Sequence, residues 1–86
     1  MDIAGRLATI QQEIGQVENE KVQCQLRLGL FWEHPPALDP EYVGKIMQSI
    51  RDRIRGLEDR KRELLEEEQA LIVRAATLGD RSTGDN

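Results

Sequence analysis

The sequence predicts an all-α protein, an antiparallel two-helix hairpin of coiled-coil type, and three observations predict it. Two heptad stripes are separated by one proline-rich break, and the charges beside the two stripes match in sign when the chain is folded at that break. Ile3, Leu7, Ile10, Ile14, Val17, Lys21, Cys24, Leu28 and Phe31 recur at alternating steps of four and three. Val43, Met47, Ile50, Ile54, Leu57, Lys61, Leu64, Glu68, Leu71, Ala75 and Leu78 do the same. That spacing places each set along one seam of a helix. Between the stripes, His34-Pro35-Pro36-Ala37-Leu38-Asp39-Pro40 is a segment that no helix crosses intact.

The first helix is expected over about 3–32, with Asp2 as its N-cap and the tandem prolines as its stop. The turn takes residues 33–39. The second helix starts with Asp39 as N-cap, Pro40 at its first position and Glu41 in its first turn, at the positive end of the dipole. It is expected over 40–78, with Gly79 as terminator. Residues 1–79 then make the hairpin, and 80–86 a disordered polar tail.

Folding at this turn sets Leu28 opposite Val43, Cys24 opposite Met47, Val17 opposite Ile54 and Leu7 opposite Leu64. The flanking positions then pair Glu20 with Arg53, Glu13 with Arg60 and Arg6 with Glu67, all opposite in sign. Exposed pairs stabilise little, but three that agree select one register. The same register makes helix 2 outrun helix 1 by about two turns. Leu71, Ile72, Val73, Ala75, Ala76 and Leu78 then lack facing residues, with Leu65 and Ile72 widening the apolar face. A bare apolar overhang marks an interaction site, unless it packs on the N-terminus of its own chain.

Helix 1 carries a second line, Ala8, Gly15, Val22 and Gly29, all small or apolar. Glycine inside a helix costs up to about 1 kcal/mol relative to alanine, so two on one line suggest close approach by another helix. Around the turn lie Phe31, Trp32 and Tyr42, all the aromatics of the chain. Phe31 sits on the seam, whereas Trp32 beside it is less easily buried by its own hairpin, and Trp and Tyr are common interface anchors. These features predict that two hairpins associate into a four-helix bundle. The expected interface residues are Ala8, Gly15, Val22, Gly29, Trp32, Tyr42, Leu65, Leu71, Ile72, Ala75 and Leu78.

Composition narrows the function classes. With 86 residues there is one domain, near the size at which a lone core stabilises little. One third of the residues are charged (33%), which suits long helices, and the net charge of −4 argues against a general binder of nucleic acid or anionic membranes. No stretch has the apolar length of a membrane span. One cysteine makes no internal disulfide, and Cys24 falls on the seam as a packing residue. The start of the chain has no basic, apolar leader pattern, so a cytoplasmic protein is expected.

No catalytic constellation is legible. His34 is the only histidine and stands beside prolines at the turn. No ligand set has the spacing of a metal site, no glycine-rich phosphate loop follows a strand, and Glu66-Glu67-Glu68 spreads around a helix. The expectation is a non-enzymatic adaptor, assembly factor or regulator that needs no cofactor and takes no small-molecule substrate. It would act on itself and on a protein partner. Two alternatives stand beside it. A nucleic-acid-binding regulator would use the basic run on helix 2, through Arg51, Arg55, Lys61 and Arg62, although acidic residues interleave and no aromatic is there to stack a base. A secretion-type chaperone would offer an apolar helix face to a partner helix. In outline the chain resembles plasmid copy-control bundles, secretion co-chaperones and hairpin transcription factors, a likeness of fold that carries no function.

Overall fold

The computed structural model describes residues 2–34, 37 and 39–84, with the side chains of 79–84 left aside. Pro35, Pro36 and Leu38 of the turn, and the last two residues of the predicted tail, lie outside the described residues.

Two helices form. The first, α1, is Ile3–Glu33, about 46 Å long at 1.5 Å per residue. Asp2 caps it, in extended backbone, and its carboxylate accepts from the Gly5 N–H at 3.1 Å. The absence of a side chain on Gly5 matters here, because a Cβ would run into that carboxylate. At the other end the His34 N–H donates to the Leu30 carbonyl at 2.8 Å.

The second helix, α2, is Pro40–Gly84. It starts as the sequence predicts: the Asp39 carboxylate accepts from the Glu41 N–H at 3.1 Å, and its carbonyl accepts from Val43 at 3.0 Å. Its end departs from expectation, since the helix runs on through Gly79. A glycine stops a helix by taking a left-handed conformation, and no described glycine has positive φ. Gly79 therefore costs helix propensity without ending the helix.

α1 and α2 pack against each other along the predicted seam, as a rod with extents of 72 × 18 × 15 Å. Toward the open end Ile10, Leu64 and Leu71 are buried, with Ile3, Leu7, Ile14 and Val17 packed against them. Toward the turn Cys24, Ile50 and Leu57 are buried, with Val17, Leu28, Phe31, Ile46 and Ile54 around them. Phe31 thus belongs to the seam, as its heptad position requires.

Leu71 corrects one expectation. It belongs to the core, 7% exposed, rather than to a bare overhang. Helical side chains tilt toward the N-terminus of their helix and cover the turn before their own Cα. Leu71 therefore reaches back over the layer in which Ile3 packs, and the overhang starts after it.

All three predicted charge pairs form. Arg6 grips Glu67 with two hydrogen bonds, at 2.6 and 2.8 Å. Arg60 donates to Glu13 at 3.0 Å, and Arg53 Nε to Glu20 at 2.9 Å. They line one edge of the hairpin. The opposite edge holds a reciprocal pair that sequence reasoning left out: the two seam lysines leave the core sideways, Lys21 to Glu58 at 3.3 Å and Lys61 to Glu18. Each covers the seam with its alkyl stem and keeps its ammonium at the surface.

Candidate interaction surface

Burial on α1 follows the seam and leaves the rest of the helix exposed. Between Gly5 and Leu30 the positions facing away from α2 are Gly5, Ala8, Thr9, Gln12, Gly15, Gln16, Asn19, Val22, Gln23, Leu26, Gly29 and Leu30, all exposed except the half-buried Gly29. None is charged. The face first carries a charge at Glu33, the last residue of α1; in a chain that is one-third charged, so long an uncharged stretch is an exception to the way solvated faces are built. The Thr9 hydroxyl already donates to the Gly5 carbonyl at 3.0 Å, which lowers the polarity of the face further. The corresponding face of α2 has Lys45, Asp52, Arg55, Asp59, Arg62, Glu63 and Glu66, all exposed, and reads as a solvated surface.

The glycine line has open space beyond it. A Cβ built on Gly15 or on Gly29 meets nothing within 4 Å, so the hairpin itself does not require glycine at either position. Ala8, Gly15 and Val22 are exposed beside it.

Large exposed apolar side chains gather at the two ends of the rod. Near the turn are Val22, Leu26, Leu30, Trp32 and Tyr42, and near the open end Leu65, Ile72, Val73 and Leu78. Ala75 is exposed among the second group. Trp32 is the most open, at 66%, as its position off the seam predicts. Sequence reasoning missed Leu26 and Leu30, which are 58% and 57% exposed. The signal was available: Val22, Leu26 and Leu30 step by four residues along one side of α1, away from the seam.

The basic run of α2 is largely engaged. Arg53 and Arg60 hold Glu20 and Glu13, Lys61 holds Glu18, and Arg62 pairs with Asp59 at 2.7 Å. Arg51 and Arg55 make no ion pair among the described residues and, four residues apart, share one side of the helix. Hydrogen bonding perturbs the pairs themselves. Donation from Arg6 holds the Glu67 carboxyl below the usual carboxylate range, and Lys61 does the same to Glu18. Bonding to Glu67 and to Glu20 raises the guanidinium of Arg6 and of Arg53 in turn.

No family model matches this chain, and no curated protein or solved structure is significantly similar to it.

The remaining concavities are shallow and lie along the helix edges. One of them, about 400 Å³, is lined by Cys24, Arg27, Lys45, Ile46, Ser49, Ile50 and Arg53. It has the cations for an anion but no buried polar group to hold one in place. Among the described residues no group of three or more His, Cys, Asp or Glu could hold a metal ion, and no helix is long and apolar enough to cross a membrane.

Proposed function

We propose that this chain is a non-enzymatic helical-hairpin protein that self-associates and works as an adaptor, assembly factor or regulator through protein–protein contacts. The observation that carries this reading is the uncharged outer face of α1, bounded by an exposed apolar cluster at each end of the rod. Exposing large apolar side chains in contiguous groups is unfavourable for a soluble chain unless a partner covers them. The charged outer face of α2 gives the contrast within the same molecule: one helix is dressed for water and the other for a neighbour. A hairpin bundled with a second one also gains the core that two helices alone lack.

Nucleic-acid binding is the weaker reading, because carboxylates of the hairpin already hold Arg53, Arg60, Lys61 and Arg62. A partner protein recovered by affinity capture and lost on Trp32→Ala or Leu78→Asp supports the adaptor reading. The proposal requires a dimer or larger species by light scattering at tens of micromolar, and a monomer at that concentration would sink it.

A further inference from the structure

We infer that the partner of the uncharged α1 face is a second copy of this chain lying antiparallel, with the two-fold axis passing near Gly15. This deepens the self-association proposed above and rests on it. Three observations select the arrangement.

Charge sets the direction. Residues 20–53, the half of the rod at the turn as the Glu20–Arg53 pair divides it, hold five basic and five acidic side chains, whereas residues 2–19 with 54–78, the open half, hold six basic and nine acidic ones. A parallel pair would set the acidic half of one copy beside the acidic half of the other. An antiparallel pair sets it beside the neutral half, the choice with less repulsion.

Size sets the position. With the axis at Gly15, the two glycines meet at the point of closest approach, where open space lies beyond each. Val22 of one copy then falls across from Ala8 of the other, and Leu26 across from Ala4 and Gly5. Val22 and Leu26 thereby each meet small residues, the alternation that lets two helices interdigitate.

Area requires the ends. A strip about 46 Å long and about 10 Å wide offers roughly 460 Å² per copy, short of the ~800 Å² per partner of a stable interface. In this arrangement Ile72 of one copy is level with Trp32 of the other, so the α2 overhang extends the contact across the partner's turn end, twice per dimer. The two apolar clusters, stranded at opposite ends of one rod, become one contact.

Disulfide trapping in the full-length chain tests the inference. Gly15→Cys introduces a thiol at the axis, with room for its side chain in the hairpin, and Leu30→Cys introduces one far from the axis on the same exposed face. Each is oxidised at tens of micromolar beside the parent chain, whose buried Cys24 gives the background, with helicity checked by circular dichroism. Gly15→Cys is expected to form covalent dimer at least tenfold faster than Leu30→Cys. Equal rapid trapping at both positions means a parallel dimer and overturns this inference while self-association stands. No trapping at Gly15→Cys, with light scattering still reporting a dimer, places the interface elsewhere and overturns it too. A monomer by light scattering overturns the self-association itself.

Discussion

Leu64 and Leu65 are neighbours of identical chemistry with opposite environments, which makes them a paired probe of the seam. Leu64 is 0% exposed and sits in the cluster of Ile10 and Leu71, whereas Leu65 is 43% exposed. Truncating a buried leucine to alanine costs about 2–5 kcal/mol, less where the surroundings collapse into the gap. A single seam between two helices collapses more readily than a core walled on all sides, so Leu64→Ala is expected near the lower end, about 2–3 kcal/mol. Domains of this size have total stabilities of roughly 4–13 kcal/mol, and each 1 kcal/mol moves Tm by about 4–8 °C. The change should therefore lower Tm by roughly 10–20 °C. Leu65→Ala, measured at the lowest practical concentration, should cost less than about 1 kcal/mol. Urea unfolding followed by circular dichroism at low micromolar chain measures both. A cost below about 1 kcal/mol for Leu64→Ala, or equal costs for the two leucines, would refute the assignment of Leu64 to the seam and with it the register of α1 on α2. A penalty for Leu65→Ala that grows with protein concentration reports a covered surface in the associated state.

Two further outcomes follow from the edges of the hairpin. Arg53→Glu sets like charges against each other at Glu20 and should lower the urea midpoint, and adding Glu20→Arg should restore it; a double variant less stable than either single one contradicts the pairing. Acid should weaken the hairpin, because Glu67 and Glu18 are held below the usual carboxylate range by Arg6 and Lys61. Their folded state binds fewer protons than the unfolded chain, so their contribution is complete above the unfolded value, about 4.3, and is lost as pH falls through the lower folded values. Urea midpoints should fall below about pH 4.3, less steeply in Glu67→Gln; an unchanged midpoint from pH 7 to pH 3 contradicts the argument.

The heptads and the proline break were enough to read both helices, the seam and the turn from the sequence, and the charges at Glu20, Glu13 and Arg6 were enough to read the register. Those are local or strictly periodic signals, and the fold has little else. The misses have specific physical causes. The level of its Cα puts Leu71 on the overhang, but its side chain reaches back over the preceding turn. Gly79 has the identity of a stop, but a stop needs a backbone conformation that identity alone does not impose. Lys21 and Lys61 hold seam positions by spacing alone, whereas an ammonium whose Cβ faces a core has to leave it sideways, to Glu58 and Glu18. The outer face of α1 shows in the sequence as a line of small residues, but its lack of charge is spread over Gln12, Gln16, Asn19 and Gln23, which no single motif joins.

The three edge pairs also carry a consequence for how the rod forms. Their partners stand 33, 47 and 61 residues apart along the chain. Closing a loop costs more as it lengthens, though each doubling adds only about 0.6 kcal/mol. Once the turn has brought α1 and α2 together, every later layer adds only a few residues to a loop already closed. The hairpin should therefore zip from the turn outward and fray in the reverse order, with amide exchange slowest near Ile50 and fastest beyond Leu71. The apolar end of α2 lies farthest from the point of closure. It is the last segment to gain a neighbour from its own chain, and the first free to receive one from another.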